Sequence, residues 1–355
     1  VSRWRYFLRR LVLAIPVVFI GMTATFIIVR MGPIDPVAAI LGPDAGPAQQ
    51  ARIEERLGLN QPLWNQYLSF MRDLITLNLG QSWVINNGRS VYSMIGTYAP
   101  RTLWLGFWSV LIALFIGIPL GFYAGLNPNT WSDYTASFGG IVWRAMPNFW
   151  LAVMLLAVLR QSERLFFGFD WHTFGVEINS LVGQPPLDFL AITEWVSLGL
   201  LSVPVGIYFS PVGLLASIKQ VLPAALVLGS ASMGTEMRIG RTAVLETINS
   251  NYVETARAKG VSERAIVWKH VFRNALIPLV PIITNEAFIL IGGSVIVETI
   301  FGINGLGYLF FQAATQGDLP LVGSLMFVFI LLIVSINIVQ DLLYTVLDPR
   351  VGYSG

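Results

Sequence analysis

Side chains able to do covalent chemistry are scarce in this chain, and they are scattered. With no cysteine, it can form no disulfide, thiolate metal site, iron–sulfur cluster or cysteine nucleophile. The only imidazoles, His172 and His270, lie far apart, and no acid, base and nucleophile set gathers around either. No GxxxxGK[ST] segment is present to cradle nucleotide phosphates. The chain therefore reads as a protein that is not an enzyme and holds no cofactor or metal, and His270 reads as a surface or packing residue.

What remains is electrostatic. Ionisable groups inside apolar runs are costly, about 3 kcal/mol or more near a bilayer centre, so each is a candidate for function. Glu286 stands beside Asn285 after two prolines, Pro278 and Pro281, that interrupt backbone bonding. Facing a pathway, Glu286 would attract an amino group or a metal cation; buried, it would bond to a neighbouring helix, with Arg144 as a partner. Both readings stand at this point. Glu298 and Asp341 fall nearer helix ends, where structural or gating roles fit better.

The elements that must position these groups are membrane helices. Hydrophobic residues make up 55% of the chain and charged residues 12%, about half the charged share of a soluble fold. Leu11 to Val29, bounded by Arg9, Arg10 and Arg30, spans the ~30 Å hydrocarbon layer as a helix rising ~1.5 Å per residue. It reads as an uncleaved first span rather than a signal peptide. Five more spans are expected, at Arg101–Leu126, Ser137–Leu159, Val221–Ile239, Ala275–Val297 and Leu321–Leu343. The sequence thus divides into residues 1–30 (N-terminus and first helix), an external region at 31–100 and a transmembrane core at 101–350. That core carries an external insertion at 160–219 and a basic loop at 240–274. Arg3, Arg5, Arg9 and Arg10 put the N-terminus in the cytoplasm, and Arg241, Arg257, Lys259, Arg264, Lys269 and Arg273 arrive on the same side four spans later. This parity argues against a seventh span at Phe189–Phe209, where Asp188, Glu194 and Pro204 also oppose a lipid-exposed helix. That segment is expected to lie on or dip into the interface.

In the external region, Ala48–Leu57 and Leu63–Leu79 are expected as helices, the second with Leu63, Tyr67, Phe70 and Leu74 on one face. The face suits packing over helix ends, or contact with an external partner. Gly117, Gly121 and Gly125 form two GxxxG steps for close helix packing, within the chain or against another subunit. A net charge of +2 gives no reason to expect nucleic acid.

The basic loop holds the most informative stretch, NYVETARAKGVSERAIVWKHVFRNALIP from Asn251 to Pro278. Strong helix formers run from Tyr252 to Lys259, with Glu254 spaced to pair with Arg257. Gly260 permits a left-handed turn, and Ser262 is placed to cap a second helix through Ile266, Val271 and Asn274. Small residues Ala256 and Ala258 would let another surface approach.

ETARAKG followed by HVFRNALIP resembles the EAA loop of ABC-importer permeases, in the form found in the dipeptide, oligopeptide and nickel family. LGLNQPLWNQYLSF from Leu57, VETIFGINGLG from Val297 and NIVQDLLYTVLDPR from Asn337 resemble further parts of that family's B-type transmembrane subunit. Thr255 stands where that pattern has its second alanine, and Asn304 where proline is common. The resemblance implies an all-α membrane protein with six transmembrane helices and cytoplasmic coupling helices, the ABC type I importer permease fold. It implies a permease in a prokaryotic cell membrane, with both termini cytoplasmic, that passes peptides delivered by an extracytoplasmic solute-binding protein. It also implies a second homologous permease subunit and two cytoplasmic ABC ATPases, which would use the ATP. Glu254, Ala256, Arg257, Lys259 and Gly260 become the ATPase-coupling residues, and Asn285, Glu286, Glu298 and Arg144 the pathway candidates. Nickel or oligosaccharide cargo is the alternative within the family; an ATPase-independent secondary transporter, with Glu286 and Arg144 as a coupling pair, is the alternative outside it.

Overall fold

The computed structural model describes residues 3–32, 35–42, 45–178, 183–198, 201–279 and 294–347. The expected fifth span falls mostly on residues 280–293, outside the described residues, and Asn285 and Glu286 lie there too. Among the described residues, four helices are long and apolar enough to cross a membrane, or up to six if each of two broken helix pairs counts as one span. The chain divides into two compact units, one of Val1–Ala99 with Leu306–Gly355 and one of Pro100–Gly305.

In the first unit, α1 (Arg3–Met31) packs along the final helix, Leu319–Leu347. Gly21 faces Ile330 there: a Cβ would lie 2.9 Å from the end of that side chain, which would have to shift. Arg10 Nε meets Asp341 at 2.9 Å, so Asp341 serves a helix-to-helix ion pair. Elsewhere α1 exposes Val12, Ile15, Ile20 and Ile28, which suits a lipid-facing helix.

Between α1 and the next long helix lie α2 (Pro36–Leu41), α3 (Pro47–Leu57) and α4 (Leu63–Ile75). The Asp35 carboxylate caps α2 by accepting from the Val37 N–H at 2.8 Å, and α3 ends at Gly58 in the left-handed region, φ 66°. The amphipathic face of α4 packs on α1: Tyr67 and Phe70 meet the Phe26 ring, and Tyr67 shares a hydrogen bond with Thr23. Leu63 departs from that pattern and stays exposed. A latch completes the unit. Buried Asp318 accepts from Ser82 Oγ at 2.5 Å and from the backbone N–H groups of Trp83, Val84 and Ile85 at 3.1 Å, fixing the 82–85 loop to the start of the last helix.

The second unit is built on a long helix and on the part of another from Pro100 onward. Helix α5 runs from Val91 through a π turn at Ala113–Gly117 to Leu126, and α8 from Pro211 to Ile248. Gly117, Gly121 and Gly125 all face α8, so the GxxxG steps serve packing within the chain. A Cβ at Gly121 would sit 2.6 Å from the Met237 carbonyl oxygen, and one at Gly125 would sit 2.9 Å from that of Arg241.

The expected third span is not one helix. Helices α6 (Trp131–Ala145) and α7 (Asn148–Arg160) meet at 102°, because Pro147 cannot continue the hydrogen-bond ladder and drives Met146 into extended backbone. Phe189–Phe209 is likewise no span. It forms an antiparallel hairpin, Leu190–Leu198 with Leu201–Phe209, as its β-branched and aromatic residues favour. Because α8 already begins at Pro211, Lys219 belongs to that helix and not to the insertion. From there it reaches into the insertion, donating to the carbonyls of His172 and Val176 and lying 5.6 Å from the Trp171 ring centroid. Next to it, the backbone N–H of His172 donates to the Asp170 carboxylate and holds that carboxyl's pKa below the ordinary value.

Gly121→Leu is expected to force α5 and α8 apart, costing at least about 1–3 kcal/mol for overpacking. Thermal unfolding of the detergent-solubilised chain should show the loss, while Gly139→Leu, where a Cβ meets open space, should change little.

Candidate functional site

The basic loop folds as two short helices against the ends of α5 and α8. Helix α9 (Asn251–Ala258) starts after Ser250, whose carbonyl accepts the N–H of Val253 and Glu254. Val253 and Ala256 are buried with Phe122, Val244, Ile266 and Val271 in one apolar cluster. Ala256 thus faces the chain's own core, whereas Ala258 is exposed. The outward face carries Glu254, Thr255, Arg257, Lys259 and Gly260.

Gly260 adopts φ 73°, and a Cβ there would meet nothing within 4 Å, so backbone conformation alone calls for glycine here. Arg257 pairs with Glu263 across this turn at 3.2 Å rather than with Glu254. The turn brings residue 263 back over α9, closer than the helical neighbour the sequence suggested. Both side chains are largely exposed, which leaves the pair worth little by itself.

The second helix is composite: α turns at Glu263–Ala265 and Arg273–Ala275 flank a seven-residue π segment, Ile266–Phe272. Ser262 occupies the cap position through its carbonyl, which accepts from Ile266, and not through its hydroxyl. Ile266 and Val271 are fully buried, and the Phe272 ring lies 5.0 Å from that of Phe122 on α5. Pro278 follows in a 3-10 turn.

An ion pair, buried on its acid side, ties the same end of α8 to the start of α6. Arg241 on α8 grips Asp133 on α6 with two bonds, Nε to Oδ1 at 2.5 Å and Nη2 to Oδ2 at 2.8 Å. Asp133 is 2% exposed and also accepts from the Asn129 N–H and the Ser137 hydroxyl. Nothing in the apolar pattern signalled this residue, because it lies in the first turn of α6, ahead of the expected span at Ser137.

The pathway candidates are not brought together among the described residues. Glu298 is fully buried, accepts from the Thr102 hydroxyl at 2.8 Å and sits where a Cβ on Gly305 would lie 2.5 Å from its Oε2. It is a latch inside the unit, so a place on an open pathway is not supported. Arg144 is exposed and lines a small basic cavity with Arg238 and Arg241. A further acid, absent from the candidates above, is Glu236, a fully buried carboxylate on α8 against Gly117, where a Cβ would come within 2.5 Å of Oε2. Its place within the expected span Val221–Ile239 was the available signal.

Residues 117–353 match the family described as binding-protein-dependent transport system inner membrane component, and residues 3–106 match the corresponding N-terminal family. Among curated relatives, the dipeptide transport system permease protein DppB of Alkalihalophilus pseudofirmus is 34% identical over 98% of this chain and 99% of its own. The oligopeptide transport system permease protein AppB of Bacillus subtilis is 31% identical over the same shares, and the di/tripeptide permease DppB of Pseudomonas aeruginosa 31% identical over 97% and 98%. A chain of the methionine ABC transporter MetNI, solved in inward-facing conformations, shares the fold at a TM-score of 0.50 and 18% identity. That match covers 72% of this chain and 96% of the MetNI chain.

Asp133→Ala is expected to cost about 2–3 kcal/mol, somewhat less than loss of a fully buried pair because Arg241 keeps solvent contact. Unfolding of the purified chain measures this, and the double change Asp133→Leu with Arg241→Met should recover much of the loss.

Proposed function

Because this chain belongs to the family of binding-protein-dependent transport system inner membrane components, a multi-pass membrane permease that is not an enzyme and binds no cofactor itself, we propose that it carries peptides through an ABC importer. Its relatives' names point to di- and oligopeptides. In this reading a solute-binding protein hands the peptide over outside, and a second permease subunit completes the passage. Two ATPases in the cytoplasm use the ATP. The basic loop faces the cytoplasm, as its arginines and lysines favour, and the N-terminus lies on the same side.

The observation that carries this proposal is the two-sidedness of α9. Its outward face, Glu254, Arg257, Lys259 and Gly260, is open to a partner, while Val253 and Ala256 tie it to the apolar cluster that joins α5 and α8. A partner that closes on nucleotide and pulls the outer face moves α9 with those two helices, because a packed core transmits displacement instead of absorbing it. This is the coupling needed to switch a permease between inward-facing and outward-facing states. Glu254, Arg257, Lys259 and Gly260 are its contact residues.

The test is uptake of a labelled di- to hexapeptide mixture into proteoliposomes holding the co-encoded subunits. Uptake should require ATP. It should fall to background with Glu254→Arg, an exposed change that leaves assembly intact, and with Gly260→Val, which a left-handed backbone disfavours. Uptake indifferent to ATP and to both substitutions would refute the coupling; ATP-dependent assembly activity without peptide uptake would refute the peptide cargo alone.

A further inference from the structure

A cavity of about 370 Å³ lies within the first unit, walled by the end of α1, the turn after α3, α4, the loop 78–83 and the start of the last helix. Hydrogen bonds tie these walls to one another. The Gln66 amide on α4 donates to the carbonyls of Leu59 at 3.0 Å and Gln61 at 2.7 Å, which fixes the turn. The Ser324 hydroxyl on the last helix donates to the Leu79 carbonyl at 3.2 Å, and Asp318 accepts from the Trp83 N–H at 3.1 Å. A cavity whose walls are set beforehand loses little freedom when a ligand enters.

Two opposite charges line this space without neutralising each other. Arg30, next to last in α1, is partly buried and makes no ion pair among the described residues. Asp73 on α4 is exposed and has no cationic partner among them; its Oδ1 accepts from Asn78 Nδ2 at 3.3 Å. Phe70 and Trp83 add aromatic surface to the same lining.

We propose that this cavity binds a dipeptide zwitterion, its carboxylate on Arg30, its amino group on Asp73 and a side chain against Phe70 and Trp83. A simple anion would gain Arg30 and be repelled by Asp73, and a simple cation would meet the reverse. An apolar molecule would take water from both charges and give nothing back. A ligand carrying both charges answers both. The ends of an extended dipeptide stand up to about 7 Å apart, so it bridges groups that form no direct ion pair. The space equals about a dozen waters at ~30 Å³ each, and it falls in the lower range of small-molecule pockets. That the zwitterion is a peptide rests on the function proposed above; the paired charges in one cavity do not.

The assembled transporter in detergent, without binding protein or ATP, is titrated by calorimetry with alanyl-phenylalanine, its N-acetyl form and its carboxamide. The wild type should bind the free dipeptide about tenfold more tightly than either blocked form. Arg30→Gln should erase the difference between free dipeptide and carboxamide and keep that with the N-acetyl form; Asp73→Asn should do the opposite. Arg30→Lys should preserve the wild-type pattern, and Ser69→Trp, which narrows the cavity, should weaken all three peptides. Peptide-free melting temperatures matching the wild type separate these effects from misfolding. Equal binding of the three forms by the wild type, or no binding at millimolar peptide, would overturn the proposal. So would a preference that both charge variants retain in full, because the peptide would then sit elsewhere. Since neither ATP nor uptake enters the measurement, a failed uptake assay with this pattern intact would count against the importer reading alone.

Discussion

Contact between backbones along Gly117, Gly121 and Gly125 is the constraint on which the rest of the second unit depends. With Cβ positions 2.5 to 2.9 Å from atoms of α8, α5 and α8 lie too close for any side chain at these three positions. That closeness is held by dispersion and weak Cα–H contacts, since apolar lipid supplies little drive for helices to associate. The π turn at Ala113–Gly117 ends at the glycine that lies against the Glu236 carboxylate. Asp133 and Arg241 then tie the end of α8 to α6.

The basic loop exploits this rigidity. A helix as short as α9 is unstable in isolation, yet it is seated here by two inward residues on the cluster at the ends of α5 and α8. What the partner-facing side can do therefore depends on packing that the partner never touches. Substitutions at Val253 or Val271 would loosen the seat without altering a single outward group.

Features that depend on local pattern were legible in the sequence. The first span, the external helices at Pro47–Leu57 and Leu63–Ile75, the glycine steps and the left-handed turn at Gly260 all follow from periodicity or from residues with special backbone freedom. Features that depend on which groups meet across the fold were not legible. The Arg257 partner changed because a turn, and not a helix, brings Glu263 near. Asp133 and Asp318 find their donors 108 and 236 residues away. Ala256 looked like a landing place because small residues serve both surfaces and cores, and only burial separates the two. The hairpin was missed because its apolar run matches a helix as well as a strand by periodicity. Pro147 was available as a signal, but prolines also occur inside intact membrane helices, as Pro16 does in α1 and Pro223 does in α8.

The division of the chain has a consequence for its birth on the ribosome. Residues 100–305 form a continuous stretch and can acquire their contacts as they emerge, whereas the other unit joins the first 99 residues to the last 50. Ser82 meets Asp318, and Arg10 meets Asp341, only once that later stretch has been synthesised. Helix α1 must therefore wait in the bilayer until the helix Leu319–Leu347, against which it packs, has been made.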